Sequence, residues 1–212
     1  KPSSAASDVY KRQHIDGAYG GAGILAESVR DLYKGIEKAD SFIVDPHKWL
    51  FAPYDCCCLI YRNPANVYQT FSQHAEYLDG VDHSQSNPSD MAIHLSRRTR
   101  GLPLWYSLVT YGSKKYTEAV ELCIENAKKC AEAIKNTEHL ELIMEPTLSI
   151  VVFKRKGWDK QDYEKWSKEL ALKGELLCLP SSIDGETILR LAFLNPNTNI
   201  QKAIDIIIET TK

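Results

Sequence analysis

The chain has 212 residues with a formal net charge of −2 and 43% hydrophobic residues, which is enough for one or two domains with a substantial core. The near-neutral charge gives no reason to expect nucleic acid or an anionic membrane surface as a partner. The longest apolar runs are much shorter than a membrane span, and no hydrophobic core of a secretory signal is visible.

The first residues of the chain differ from the remainder in composition and in periodicity. Residues 1–13 are small and polar without any period, so we interpret them as a non-native leader and leave them out of the fold prediction. From His14 the sequence is regular, with a helical period over residues 24–36 and a strand at 41–44. A turn at 46–55 leads into a second strand, CCCLIYR. Strand, helix and strand at this spacing predict an α/β fold with parallel pairing.

Three of the six cysteines are consecutive, at Cys56, Cys57 and Cys58. Adjacent residues of a strand point to opposite faces, so this run cannot act as a metal clip of the CxxC kind. We interpret it as small apolar filling in CCCLIY, a strand buried on both faces, rather than as a redox site, and we expect no metal. Reduced cysteines favour a cytoplasmic location.

The second half of the chain is predicted to form a long helix and then a small α+β domain. Residues 65–96 have little regular pattern and include a polar, turn-rich part, which predicts an exposed loop. The apolar stripe of the long helix consists of Tyr116, Val120, Cys123, Ala127, Cys130 and Ile134. From residue 137 the pattern alternates strand, helix, strand and helix, and Gly174 is predicted to end the first of these two helices. The four segments are LSIVVFK, DYEKWSKELALKG, ETILRLAF and NTNIQKAIDIIIET.

Two polar clusters lie where predicted strands end. HIDGAYGG offers Asp16 among small residues, and DPHK offers Lys48 one helix later, at the spacing of a βαβ crossover. Ligands of open α/β sheets collect at the carboxyl ends of the strands, so the carboxylate and the amine are expected to face one crevice. This pair suits pyridoxal phosphate (PLP), because an amine can bond to its aldehyde and a carboxylate can keep its pyridine nitrogen protonated. On spacing alone, a surface lysine and a turn aspartate stay open as the alternative.

Four ordered blocks resemble the group II pyridoxal-phosphate-dependent decarboxylases, the family of aromatic-L-amino-acid decarboxylase. They are HIDGAYGG, ADSFIVDPHKWLFAPYDCCCLIYR, SRRTRGLPLWYSLVTYG and ETILRLAFLNPNT. The resemblance implies the fold type I architecture of PLP-dependent transferases. Residues 14–136 would be the C-terminal part of the PLP-binding large domain with its long connecting helix, and residues 137–212 the small C-terminal domain. It also implies a homodimer for the full-length protein.

The same resemblance implies roles for individual residues. Lys48 would bond covalently to the cofactor, and Asp16 would pair with the pyridinium nitrogen. Ala18 would pack on a face of the ring, and His47 would help to hold the phosphate, with a capped turn histidine as the structural alternative. Arg190 would reach the substrate carboxylate, with a structural ion pair as an equally open alternative.

Two departures from the family pattern bear on the chemistry. Family members often have asparagine three residues before the lysine, whereas this chain has Asp45, whose charge would repel a phosphate. The aromatic decarboxylases carry a loop tyrosine that returns a proton to the substrate carbon. Here Pro88 aligns near that position and Tyr77 comes too early, so the proton donor is unassigned. Three arginines are expected to anchor the helix start or the dimer rather than substrate: Arg97, Arg98 and Arg100.

The leading prediction is therefore PLP-dependent decarboxylation of an L-amino acid to the amine and carbon dioxide, with this chain an inactive fragment when alone. The alternatives are decarboxylation-dependent oxidative deamination to an aldehyde, a transaminase-like reaction, and a non-catalytic homologue that acts by binding. The resemblance implies aromatic, acidic and diamino acids as candidate substrates, since relatives in that family handle all three. It also implies that most of the side-chain pocket comes from outside this chain.

Overall fold

The computed structural model describes residues 11–73, 80 and 87–212, which form two β-sheets and five α-helices. The strands are β1 (His14–Asp16), β2 (Ser41–Val44), β3 (Cys58–Tyr61), β4 (Leu140–Met144), β5 (Ile150–Arg155), β6 (Leu179–Ile183) and β7 (Glu186–Ala192). The helices are α1 (Pro46–Trp49), α2 (Pro64–Phe71), α3 (Gly101–Lys135), α4 (Lys160–Lys173) and α5 (Ile200–Thr210). None of the helices in these residues is long and apolar enough to span a membrane.

The first sheet has the strand order β1-β2-β3 and contains the predicted parallel pair. β1 runs parallel to β2, with Asp16 opposite Ile43, whereas β3 returns antiparallel to β2. The predicted helix between β1 and β2 is instead three 3₁₀ segments, Gly20–Leu25, Glu27–Tyr33 and Ile36–Lys38. Glycine is a poor helix former, and Gly35 has a φ of 94° in this connection, so a continuous α-helix is interrupted. Because β1 and β2 are parallel neighbours, their C-terminal ends lie at the same edge of the sheet.

The prediction that CCCLIY is buried on both faces is wrong for the described chain. Cys56 is buried, but Cys57 and Cys58 are exposed, and Leu59 and Ile60 are 43% and 52% accessible. The reason is position, because β3 is the edge strand of its sheet and pairs with β2 alone among the described strands. The apolar composition of a strand does not show whether other elements of the chain pack against it.

The predicted loop over residues 65–96 contains a helix that the sequence pattern did not indicate. In α2, Pro64 occupies the first turn and the side chain of Asn63 accepts a hydrogen bond from the N–H of Ala65. The polar part of this predicted loop lies mostly outside the described residues. Its end forms a 3₁₀ turn at Pro88–Met91, where the side chain of Asn87 accepts from the N–H of Ser89.

Helix α3 connects the two sheets and carries the predicted apolar stripe. The stripe residues are all buried: Tyr116, Val120, Cys123, Ala127, Cys130 and Ile134. The helix is broken at Gly112, whose φ of 76° lies outside the helical region. N-terminal to this break the helix presents exposed apolar side chains, including Trp105, Tyr106 and Val109.

The second sheet has the order β4-β5-β7-β6 with antiparallel pairing throughout. Its core contains Phe153 and Leu189, and burying such a side chain stabilises the fold by roughly 1.5–3 kcal/mol. The predicted helix stop is confirmed, since Gly174 follows α4 in the left-handed conformation with a φ of 67°. At the start of α5 the side chain of Asn199 accepts a hydrogen bond from the N–H of Lys202 and so caps the helix.

A second core joins α3 to the loops that follow β1 and β2. Its buried members are Ala22, Ala26, Val29, Trp49, Val120, Cys123 and Ile124. Trp49 lies next to Lys48 in sequence, so the packing of this core fixes the turn that carries the lysine.

Candidate active site

Lys48 lies on a single helical turn just beyond the end of β2. Asp45 has an extended backbone, and Pro46 then begins α1 at the position where a missing N–H does no harm. Within this turn Trp49 is fully buried while the side chain of Lys48 is 42% accessible. The sequence PHKW thus buries its indole and leaves its amine open to the solvent at the sheet edge.

Lys48 forms an ion pair with Asp45, three residues before it. Lys48 Nζ lies 2.8 Å from Asp45 Oδ2, and the side chain of Asp45 is only 13% accessible. The hydrogen bond to Asp45 raises the pKa of Lys48 above its ordinary value, and the charges of Asp45 and Asp16 add to this. Desolvation acts to raise the pKa of Asp45, but hydrogen bonds from Lys48 and Cys57 and the charges of Lys48 and His47 outweigh it and lower that pKa.

Asp16 ends β1, the parallel neighbour of the strand before Lys48. Its Oδ1 accepts a hydrogen bond from the N–H of Ala18 at 3.1 Å, which is an Asx turn that orients the carboxylate. The N–H of Asp45 donates to the carbonyl of Ala18 at 2.9 Å, so the ends of the two strands are joined. Gly17 packs against the ring of Phe42 so closely that a Cβ would clash. Asp16 and Lys48 thereby lie at neighbouring strand ends, close enough for the charge of Asp16 to act on Lys48, as the spacing predicts.

His47 precedes Lys48 in α1 and is half-buried. Its Nδ1 is 2.5 Å from the carbonyl oxygen of Cys56, and its ring meets that of Tyr54 edge-on at 4.9 Å. A carbonyl oxygen only accepts, so Nδ1 carries a proton and Nε2 is left to face another group. Partial desolvation of the Cys57 thiol and its hydrogen bond to Asp45 raise the pKa of this thiol to about 11, although the residue as a whole is exposed.

Tyr19 and Ser149 support the turn that carries Lys48 through the buried side of that turn. No sequence pattern indicated either residue. The ring of Tyr19 stacks on Trp49 with centroids 5.1 Å apart. Its hydroxyl lies 2.7 Å from Ser149 Oγ and accepts from the N–H of Ser149 at 3.0 Å. Ser149 is fully buried just before β5, so this pair ties the lysine turn to the second sheet. The only sequence signal for Tyr19 is its place directly after Ala18.

Arg190 lies on β7, on a different sheet from Lys48. Its neighbours Leu189 and Leu191 are buried, and its own side chain is exposed. Its guanidinium makes no hydrogen bond or ion pair with the described residues, although its charge acts to lower the pKa of Tyr19, which burial raises overall. Among the described residues the structure therefore gives no support to a structural ion pair.

The three arginines before α3 contact protein groups. Arg98 and Arg100 pair with Asp55 at 3.2 and 3.0 Å, and Arg97 donates to the carbonyl of Pro88 at 2.8 Å. These contacts tie the start of α3 to the loop after Lys48, in line with the predicted anchoring role. Tyr77 lies outside the described residues.

No cluster of three or more metal-ligating side chains occurs among residues 11–73, 80 and 87–212.

Comparison with known proteins identifies the family. The pyridoxal-dependent decarboxylase conserved domain matches residues 8–156. Aromatic-L-amino-acid decarboxylase of Bacillus atrophaeus is 29% identical over 206 residues, which are 92% of this chain and 43% of that protein. Histidine decarboxylase of Homo sapiens is 34% identical over 181 residues, covering 84% of this chain and 27% of the relative. The chain thus spans less than half the length of these relatives.

Solved structures agree on the fold. The structure of Oryza sativa TDC with PLP and tryptamine matches with a TM-score of 0.88 at 24% identity, over 97% of this chain and 45% of that one. Mouse CSAD in its apo form matches with a TM-score of 0.82 at 22% identity, over 98% and 46% of the two chains. The predicted α/β architecture of fold type I is confirmed. The chain belongs to the pyridoxal-dependent decarboxylase family.

Proposed function

We propose that the full-length gene product containing this chain removes the carboxylate of an L-amino acid as carbon dioxide, with PLP as cofactor, and releases the amine. One observation carries the proposal: Asp16 ends β1, and the amine of Lys48 follows the end of its parallel neighbour β2. Family membership supports the reaction class. The chain corresponds to less than half of its relatives, so the proposal concerns the whole protein.

The side chains at these strand ends fit the functional groups of the cofactor. The amine of Lys48 is accessible enough to meet an aldehyde. Asp16 uses Oδ1 to orient itself, and its other oxygen makes no hydrogen bond with the described residues, which leaves it open to a pyridinium nitrogen. The Nδ1–H of His47 is fixed by the carbonyl of Cys56, and Nε2 would bind a phosphate oxygen by donating a second ring proton. The small side chain of Ala18 leaves room for an aromatic ring.

Each residue would then have one task. Asp16 would hold a proton on the ring nitrogen, because a nearby negative charge favours the protonated form. Lys48 would provide the covalent anchor, and buried Trp49 would keep water from the rear of its turn. When bound, PLP would supply an electron-accepting ring that stabilises the negative charge left on the substrate carbon as carbon dioxide departs.

Arg190 is our candidate for the substrate carboxylate. Its guanidinium is exposed, has no acceptor among the described residues, and could bind a carboxylate through two parallel hydrogen bonds. The substrate side chain stays unassigned, since the relatives are named for both aromatic amino acids and histidine.

We also infer a homodimer and a cytosolic location for the full-length protein. The exposed Trp105, Tyr106 and Val109 of α3 support an interface, because apolar clusters of this kind are usually covered by protein. The location rests on the free cysteines.

The test is borohydride reduction of the full-length protein after incubation with PLP, followed by peptide mass spectrometry. We expect the reduced cofactor on the peptide that contains Lys48, and none on that peptide in Lys48→Ala. Lys34→Ala, which removes an exposed lysine, should leave the attachment unchanged. If no cofactor is attached at Lys48, the protein is a non-catalytic homologue and the proposal is wrong.

A second candidate is the aldehyde-forming reaction. It is favoured by Pro88 near the expected position of the loop tyrosine, and by 3,4-dihydroxyphenylacetaldehyde synthase of Aedes aegypti, which is 32% identical over 184 residues. That relative is covered over 34% of its length. Product analysis separates the reactions: amine and carbon dioxide without oxygen uptake support decarboxylation. Aldehyde, carbon dioxide, ammonia and hydrogen peroxide, with one oxygen consumed per turnover, would establish the alternative, whereas a keto acid would indicate transamination.

A further inference from the structure

Among the ion pairs of the described residues, Asp45–Lys48 has the least accessible carboxylate. Asp31 and Lys34 have the same three-residue spacing and a similar distance of 3.0 Å, but their side chains are 86% and 77% accessible. Asp45 is 13% accessible, so its charge is screened less by water and acts more strongly on its partner. The two pairs thus have the same spacing and a similar distance, and they differ mainly in how accessible their side chains are to solvent.

The backbone holds the Asp45 carboxylate at this place. The N–H of Asp45 donates to the carbonyl of Ala18 at 2.9 Å, and the carbonyl of Asp45 accepts from the N–H of Lys48 at the same distance. The thiol of Cys57 also donates a hydrogen bond to the carboxylate of Asp45. Asp45 is therefore held at the junction between β1 and β2, beside Lys48.

The charged and titratable groups around the pair all favour its ionised form. Lys48 faces Asp45, Asp16 and Cys57, and Asp45 faces Lys48, His47 and Cys57. The result is a raised pKa for Lys48 and a lowered pKa for Asp45. An ammonium has no lone pair, so an amine in this state cannot attack an aldehyde.

We propose that Asp45 is a positioning residue that keeps Lys48 as an ammonium in the cofactor-free protein and so restrains covalent attachment of the cofactor. The inference rests on the proposed function. Attachment requires Lys48 to lose a proton to solvent; Nζ then forms a C=N bond with the aldehyde carbon, and the aldehyde oxygen leaves as water. Removing the charge of Asp45 should therefore speed this step at neutral pH.

The first experiment needs no cofactor. The cofactor-free, full-length protein is labelled briefly with acetic anhydride over a range of pH, and the acetylated fraction of Lys48 is measured by peptide mass spectrometry. In the wild-type protein, the reactivity of Lys48 should rise at higher pH than that of Lys34. In Asp45→Asn the labelling rate of Lys48 at neutral pH should increase about fivefold, the factor that corresponds to about 1 kcal/mol of ion-pair energy.

Asp31→Asn is the matched control and should leave the labelling of Lys48 unchanged. An unchanged or slower rate at Lys48 in a folded Asp45→Asn protein would overturn the proposal. If that variant does not fold, the wild-type comparison decides, and a Lys48 profile that coincides with that of Lys34 or lies at lower pH refutes the restraint.

The second experiment measures the rate of PLP attachment to Lys48 by borohydride trapping. We expect attachment to be faster in Asp45→Asn than in wild type, with the same pH shift as the acetylation. Attachment at the wild-type rate, with unchanged acetylation, would refute the role of Asp45 and leave the proposed function standing. Absence of attachment in both proteins would refute the proposed function, while the acetylation profile would still decide whether Asp45 holds the ammonium.

Discussion

The hydroxyl of Tyr19 and the backbone N–H of Ser149 are joined by a hydrogen bond of 3.0 Å between residues 130 positions apart in sequence. The same hydroxyl lies 2.7 Å from Ser149 Oγ, so one tyrosine satisfies two polar groups of a fully buried serine. Since the Tyr19 ring also stacks on Trp49, the second sheet is connected to the turn that carries Lys48.

Tyr19→Phe should therefore destabilise the fold. The substitution keeps the ring stack but removes the partner of two buried polar groups, at a cost of about 1–3 kcal/mol. Urea unfolding measures the change, with Tyr111→Phe as control because Tyr111 is exposed. Equal stability of both variants would show that the Ser149 contact contributes nothing.

Trp49→Ala should have a larger effect. Trp49 is fully buried between Tyr19 and the α3 residues of the second core, and truncation of a buried aromatic side chain costs about 3–5 kcal/mol. Trp105→Ala removes an equally large side chain that is 61% accessible and should shift the urea midpoint of the isolated chain only slightly. A similar loss in both variants would contradict the burial of Trp49.

Asp16→Asn should separate catalysis from cofactor attachment. The amide keeps the shape of the carboxylate but cannot hold a proton on the ring nitrogen by charge, so we expect kcat to fall by about 10²-fold or more. Borohydride trapping at Lys48 should persist, because the amine is untouched. Asp31→Asn, on an exposed 3₁₀ segment, serves as the control for the loss of one negative charge. Full activity of Asp16→Asn would remove Asp16 from the proposed mechanism.

The Asp45–Lys48 pair should make stability depend on pH. The pKa of Asp45 is lowered in the folded chain, so its contribution is complete above the ordinary value of 3.8 and is lost as pH falls through the folded value. The pKa of Lys48 is raised, so its contribution is complete below 10.5 and is lost at higher pH. Asp45→Asn should thus be less stable than wild type near pH 7, by no more than about 1 kcal/mol for a half-exposed lysine.

Urea unfolding at pH 7 and at pH 3 checks this dependence. The stability difference between wild type and Asp45→Asn should shrink at the lower pH, whereas Asp31→Asn should match wild type at both. A difference that grows as the pH falls would show that the ion pair does not stabilise the fold.

Much of the site could be predicted because it depends on the order of residues along short stretches of the sequence. The place of Lys48 after one strand and of Asp16 at the end of its parallel neighbour follows from periodicity and from the family blocks, and the helix stop at Gly174 follows from a single residue. These features need no knowledge of which distant surfaces meet.

The rest depends on tertiary contacts. Whether CCCLIY is buried depends on what covers β3, and Ser149, the partner of Tyr19, directly precedes a strand of the other sheet. The sequence left the role of Asp45 open because a carboxylate beside a phosphate site is unfavourable, and only the turn of α1 shows that it faces Lys48. Composition can nominate such residues but cannot assign their partners.

We expect the break at Gly112 to divide α3 into two parts of unequal local stability. The backbone leaves the helical region at Gly112, and residues 113–135 hold the two cores together, so we expect residues 101–111 to open more readily than residues 113–135. We expect hydrogen exchange to report fast opening on the N-terminal side and slow, near-global opening around Val120 and Ile124. We expect the N-terminal part of α3, with its exposed Trp105, Tyr106 and Val109, to adjust to a partner surface. The core residues that pack behind Lys48 would keep their positions.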